Sequence, residues 1–169
     1  SSVTGVQTCA LPILPLGDFT AGQMRVLADL AEAYSDGTMR LTVEQNVLFR
    51  WVKTEDVEAL YQRLDAAGLG HPDANTLADV VSCPGAESCK LAVTQSRGLG
   101  RLLSEHLSAH PETVDAVPFG PGSIKISGCP NGCGQHHIAA IGFEGSVRKV
   151  AGKAGPQYLD RKSTTSELQ

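Results

Sequence analysis

Four of the five cysteines fall in two tight pairs, Cys83 with Cys89 and Cys129 with Cys133. The pairs read CPGAESC and CPNGC, so the pattern is C-x5-C, a gap of about forty residues, then C-x3-C. Pro84, Gly85, Pro130, Gly132 and Gly134 lace both loops. Such residues let the backbone turn tightly and aim N–H groups at sulfur, which stabilises a negative metal centre and tunes it. Four soft thiolates are a ligand set for a [4Fe–4S] cluster. Three other readings stand beside that one. A structural zinc site also takes four cysteines, although its pairs are ordinarily spaced C-x2-C to C-x4-C. Two disulfides need an oxidising compartment, to which nothing here points. Four unrelated buried cysteines leave the glycine and proline lacing without a cause. Cys89 is expected at the start of a helix, where the dipole favours thiolate.

Composition narrows the class. A chain of 169 residues has room for one domain or two small ones. Hydrophobic residues at 41% and charged residues at 19% fit a folded globular protein. No apolar run approaches the roughly 20 residues of a membrane-spanning helix. The net charge of −4 and an aromatic share of 5%, with no dense Lys/Arg cluster, argue against nucleic acid as a partner. No secretory signal is visible, so the cytoplasm is the expected compartment, where clustered thiols serve metal or redox chemistry. Cys9 stands alone near the start. The stretches 1–13, SSVTGVQTCALPI, and 161–169, RKSTTSELQ, resemble translated sequencing-adapter sequence. They are expected to be non-native ends lying outside the fold, the genuine chain running from about Leu14 to about Asp160.

Periodicity predicts the elements. Residues 19–35 read as a helix opened by a Thr20/Gln23 capping box, with Met24, Leu27, Ala31 and Tyr34 on one face. Asp36-Gly37 is a turn, Met39–Val43 alternates as a strand, and NVLFRWV is a second strand. Thr54 is expected to cap a second helix with Leu60, Tyr61, Leu64 and Ala67 buried, stopped at Gly68 or Gly70. A further strand is expected at Leu14–Gly17, which completes half of a ferredoxin-like α+β sandwich. Residues 71–78 read as a polar linker. Residues 90–110 read as a helix interrupted at Gly98 and Gly100, and Pro118, Pro121 and Gly122 as a loop. Ser123–Ser127 and Ile138–Phe143 read as strands, with Glu144-Gly145 as a hairpin turn to Ser146–Val150.

On these residues a family resemblance rests. CPGAESCKLAV followed by ISGCPNGCGQHHIAAIGFEG resembles the cluster-binding region of sirohaem-dependent nitrite and sulfite reductases. PLGDFTAGQMRVLADLAEAY and MRLTVEQNVLFRWV resemble the ferredoxin-like half-domain that precedes that region. The resemblance covers nearly all of residues 14–158 in order. It implies an α+β chain, with a ferredoxin-like half-domain at 14–70 followed by a truncated α/β domain binding 4Fe-4S and sirohaem at 76–160.

The resemblance further implies that Cys83, Cys89, Cys129 and Cys133 hold a 4Fe-4S cluster, with Cys133 also ligating the sirohaem iron. Thr42, Gln45, Asn46 and Asn131 become candidates for sirohaem contact, although Gln45-Asn46 also reads as a plain turn between strands. His136 and His137 are candidate proton donors or supports of the cluster ligands, against a purely structural role. Lys90, Arg97 and Lys125 are candidates to face anionic groups, against being solvated side chains. The implied reaction is six-electron reduction of nitrite to ammonia or sulfite to sulfide, with ferredoxin or a flavoprotein as electron donor. Members of the family carry the half-domain and cluster-type domain twice, and only the copy with cysteines matches. The active site is therefore expected to be incomplete in these residues. Two other functions share the cysteines: a non-catalytic iron–sulfur electron-transfer or metal-binding module, and a corrin-pathway iron–sulfur oxygenase.

Overall fold

The computed structural model describes residues 7–115 and 123–160. The chain divides into two compact units, residues 1–74 and 75–169, both mixing helix and sheet. In the first, strand β1 (Gln7–Ala10), helix α1 (Ala21–Tyr34), β2 (Met39–Leu41), β3 (Val47–Lys53) and α2 (Val57–Ala66) follow in order. The sheet is antiparallel in the order β1-β3-β2. The expected strand at Leu14–Gly17 is instead a 3-10 turn, Pro15–Gly17. Pro15 has no N–H to offer a ladder, and Leu16 (φ 54°) and Gly17 (φ 72°) are left-handed, so the segment cannot extend. The strand pairing with β3 lies at Gln7–Ala10, inside the stretch expected to fall outside the fold.

The capping box of α1 forms as expected: Gln23 N–H donates to Thr20 Oγ1 at 3.2 Å and Thr20 N–H to Gln23 Oε1 at 2.9 Å. Its buried face is Leu27, Leu30 and Ala31 rather than one that includes Met24, which is exposed. Thr54 opens a short 3-10 turn, Thr54–Asp56, and α2 starts only at Val57. Leu60 and Leu64 of α2 are buried, whereas Tyr61 is exposed. With Leu14, Leu69 and Val47, Phe49 and Val52 of β3 these side chains make one core. Val52 follows Phe49 out of strict alternation because Trp51 is left-handed (φ 61°) and bulges the strand against β1. The bulge turns Trp51 outward, under the Arg50 guanidinium at 4.9 Å, and keeps Val52 inside.

The second unit contains β4 (Val81–Ser82), α3 (Ser96–Ser108), α4 (Pro111–Asp115), β5 (Ile124–Ser127), β6 (Ile141–Val150) and β7 (Lys153–Asp160). Its sheet order is β4-β5-β6-β7. β4, β5 and β6 run parallel and β7 returns antiparallel on β6. Every residue of β5 is buried, as a strand inside a parallel sheet must be. Leu77 and Ala78, read as linker, are buried in this unit.

Three more expectations are corrected. Helix α3 begins at Ser96, not near Lys90, because the 93 and 94 amides are spent on the Gly128 carbonyl (2.9 and 3.2 Å). It runs unbroken through Gly98 and Gly100. The Glu144-Gly145 pair is not a turn: β6 passes straight through it, and the hairpin turns at Ala151-Gly152, both left-handed (φ 51° and 78°). The loop expected at Pro118, Pro121 and Gly122 lies outside the described residues. No described helix is long and apolar enough to cross a membrane.

Candidate functional site

Both cysteine loops leave the carboxyl ends of neighbouring parallel strands. β4 delivers Cys83 and β5 delivers Gly128-Cys129, with Ser82 opposite Ile126 in register. Ligand sites in parallel sheets form in the crevice beyond such strand ends. The Cys83 amide donates to the Ile126 carbonyl at 3.1 Å, extending the ladder one step into the loop. Gly128 then joins the two loops: its N–H donates to Cys83 Sγ at 3.1 Å. Its carbonyl accepts from the amides of Val93 and Thr94 and from Thr94 Oγ1 at 3.3 Å. Only a glycine fits there, since a Cβ would lie 2.9 Å from the Gly85 Cα and 3.1 Å from the Thr94 carbonyl oxygen.

The four cysteines differ in environment. Cys83 and Cys129 are buried, Cys89 is half-buried and Cys133 is exposed; all are free thiols, as is the exposed Cys9 on β1. Cys89 does not open a helix. It ends the turn begun by the 3-10 segment Gly85–Glu87, its N–H donating to the Gly85 carbonyl at 2.9 Å. No group of three or more His, Cys, Asp or Glu side chains among the described residues is gathered so as to hold a metal ion. The loops are thus brought together, while a closed single-ion site is not formed. Ser96 Oγ donates to the Cys83 carbonyl at 2.8 Å and lies 3.3 Å from Cys83 Sγ.

The return limb of the second loop is pinned to one face of β5. Gly134 N–H donates to Ser127 Oγ at 3.1 Å, and His136 Nδ1 lies 2.9 Å from the same oxygen. His136 Nε2 lies 3.1 Å from Glu144 Oε2. A carboxylate only accepts, so Nε2 carries a hydrogen; in the neutral ring Nδ1 then accepts from the Ser127 hydroxyl. His136 and Ser127 are buried, which is the structural role for His136, while His137 is exposed. Lys125, read either as facing an anionic group or as a solvated side chain, is only 6% exposed and donates from Nζ to Gln135 Oε1 at 2.7 Å. Lys90 is exposed, and Arg97 pairs with Glu87 at 3.8 Å. Ser127→Ala leaves both the Gly134 amide and the His136 ring nitrogen without their buried partner. A loss of about 2 kcal/mol in urea unfolding is the expected result; a loss below about 0.5 kcal/mol would mean the limb is not held this way.

In the first unit the TVEQN segment is a tight turn. Thr42 N–H donates to the Asn46 carbonyl at 2.8 Å and Asn46 N–H to Thr42 Oγ1 at 3.2 Å. Gln45 is left-handed (φ 66°) and half-buried. Asn46 is fully buried, its Oδ1 taking the Leu14 amide at 3.0 Å. Asn131 is exposed at the tip of the CPNGC loop.

Tyr158 escapes a sequence reading. Its ring packs edge-on to Phe143 (6.3 Å between centroids), and its hydroxyl is sealed from solvent beside the Thr94 side chain. Burial pushes the phenol's pKa up, with Cys83 adding to the rise, while a hydrogen bond with the Thr94 side chain opposes it. Nothing local marks this residue, because its partners come from segments distant in the chain.

Residues 9–67 match the family described as the nitrite/sulfite reductase ferredoxin-like half domain. The chain is 34% identical over 143 residues to the chloroplastic ferredoxin–nitrite reductase of Oryza sativa subsp. japonica, covering 83% of this chain and 23% of that protein. It is 31% identical over 137 residues to sulfite reductase [ferredoxin] 1 of Mycolicibacterium paratuberculosis, covering 80% and 25%. In fold it resembles the Mycobacterium tuberculosis NirA protein, with a TM-score of 0.77 at 23% identity over 91% of this chain and 28% of that one. The chain thus spans about a quarter of the length of the relatives it matches. Residues 9–67 thus resemble a nitrite/sulfite reductase ferredoxin-like half domain, and the chain as a whole is similar to one part of proteins named ferredoxin-dependent nitrite and sulfite reductases.

Proposed function

We propose that this chain is part of a sirohaem-dependent nitrite or sulfite reductase and that its second unit holds a [4Fe–4S] cluster through Cys83, Cys89, Cys129 and Cys133. The observation that carries the reading is the Gly128 N–H donated to Cys83 Sγ at 3.1 Å across two loops that leave adjacent parallel strands. The donor set fits the group: four free thiols, two of them buried, with the Gly128 amide of one loop already addressing the Cys83 sulfur of the other. Cys133 would also serve sirohaem, and the bound cofactors would supply single electrons for the six-electron reduction of nitrite or sulfite. Thr42, Gln45, Asn46 and Asn131 are the residues proposed to contact the macrocycle, and ferredoxin is the proposed donor, as in the names of the relatives.

The chain's own residues act as follows. Gly128 and Ser96 fix the rotamer of Cys83. Ser127, His136 and Glu144 hold the limb after Cys133 against β5. Lys125, buried on the same strand, ties the limb after Cys133 through Gln135 Oε1. A zinc module would use the same thiols without visible colour. Anaerobic reconstitution of the chain with iron and sulfide separates the two. The expected product carries iron and sulfide in equal amounts, with a broad visible absorption that bleaches on reduction. A colourless product that binds one zinc and no sulfide would overturn the cluster reading.

A further inference from the structure

Two histidines stand apart from the cysteine loops, at the carboxyl end of α3. His106 lies in the last turn of the helix and His110 just beyond it, four residues on. Residues spaced i and i+4 share one face of a helix. The helical turn carries on past Ser108, because Ala109 N–H donates to the Glu105 carbonyl at 3.1 Å and His110 N–H to the Leu107 carbonyl at 3.0 Å. Leu107 is buried and anchors this turn, and the His110 carbonyl accepts from Thr113 N–H at 2.9 Å in α4. The backbone that carries His110 is therefore held from both sides. The two rings lie 4.2 Å apart between centroids at an interplanar angle of 30°.

The His110 ring is also oriented. Its Nδ1 lies 2.7 Å from the His106 carbonyl oxygen. A carbonyl only accepts, so Nδ1 carries a hydrogen, and in the neutral ring Nε2 keeps its lone pair. A backbone carbonyl on one ring nitrogen is the contact that fixes tautomer and orientation in metal-ligating histidines. Two imidazoles bound to one ion at about 2.0–2.1 Å need their nitrogens roughly 3 Å apart. Rings stacked at 4.2 Å reach that separation by a small rotation of His106, which is exposed. Charge agrees with geometry. A helix presents its partial negative charge at this end. Residues 102–124 include Glu105, Glu112 and Asp115 but no lysine or arginine.

We propose that His106 and His110 form a two-imidazole site for a divalent first-row transition ion of the kind imidazole favours, such as Ni²⁺, Cu²⁺ or Zn²⁺. Among the described residues no third His, Cys, Asp or Glu side chain completes the set. Water fills the other positions, and an ion held here exchanges readily. The site shares no residue with the cysteine loops, so it stands or falls independently of the cluster reading.

The test is a titration of the whole chain with Ni²⁺, followed by nuclear magnetic resonance through the Cε1 protons of its five histidines. The His106 and His110 signals are expected to broaden first, at ion levels that leave His71, His136 and His137 sharp. Ion taken up at the cysteine loops would instead broaden His137, whose ring lies beside Gly132 of CPNGC. His106→Gln and His110→Gln are each expected to weaken the binding about tenfold or more, because one imidazole alone has lost the chelate. The ion binds the folded helix end, so millimolar Ni²⁺ should raise the melting temperature of the parent and not of either variant. A histidine pair that only caps the helix would show no such coupling. Broadening of all five histidines together, broadening of His137 first, or binding at parent strength after either substitution would overturn the inference. So would a parent whose His106 and His110 signals and melting temperature do not move in millimolar Ni²⁺.

Discussion

Cys83→Ala is expected to abolish assembly of an iron–sulfur cluster in this chain, and Cys9→Ser to leave it at the parent level. Cys83 is the proposed ligand most tightly built into its surroundings: buried, at the end of β4, its amide on Ile126 and its sulfur between Ser96 and Gly128. Alanine removes one of four proposed soft donors, and no other cysteine of the second unit is left to replace it. Cys9 is exposed on β1 of the other unit and shares none of these bonds. The readout is iron and sulfide per chain after anaerobic reconstitution, with far-ultraviolet circular dichroism to establish that both variants fold. Iron in the Cys83 variant equal to the parent, at equal folded fraction, would remove Cys83 from the ligand set.

The elements of the half-domain are legible because each buries one face of a regular period. The Thr20/Gln23 box, the alternation through Val47 and Phe49, and the left-handed Gly68 (φ 68°) after α2 are all local signals. The misreadings have non-local causes. Leu14–Gly17 looks apolar enough for a strand, yet Leu14 is spent on Asn46, thirty-two residues on. Glu144-Gly145 has turn composition, but glycine is required at 145 because Thr94 and Gly128 press on it from elsewhere in the unit. Lys90–Thr94 has helical composition, and its amides are drawn off by the Gly128 carbonyl. The site divides in the same way. The cysteine spacing is visible in sequence, whereas the loops' origin on adjacent strand ends, the Ser127–His136–Glu144 chain and the sealed Tyr158 hydroxyl exist only once β5, β6 and β7 are assembled.

Gly134→Ala is expected to be the most destabilising small substitution in the second unit. Gly134 has no positive φ to protect, so the demand for glycine there is one of space. A Cβ would collide with the Ile126 carbonyl oxygen, lie 2.7 Å from its carbon and 3.1 Å from Ser127 Oγ. The obstacle is the backbone of β5, which is hydrogen-bonded to strands on both sides and cannot yield as a side chain can. Relief would have to come from the 134 limb lifting away, which breaks the Gly134–Ser127 bond and strains that of His136. Overpacking of this kind costs about 3 kcal/mol, which lowers the melting temperature of a unit this size by roughly 10 °C or more. Gly152→Ala is the matched comparison: it has open space around it and only its φ of 78° to lose, so about 1 kcal/mol is expected. Since Cys133 is the residue next to Gly134, the same substitution should also cut iron uptake severalfold in the protein that remains folded. A Gly134→Ala chain that melts within a degree or two of the parent would mean that the limb does not run against β5, and the account of the second loop would fail with it.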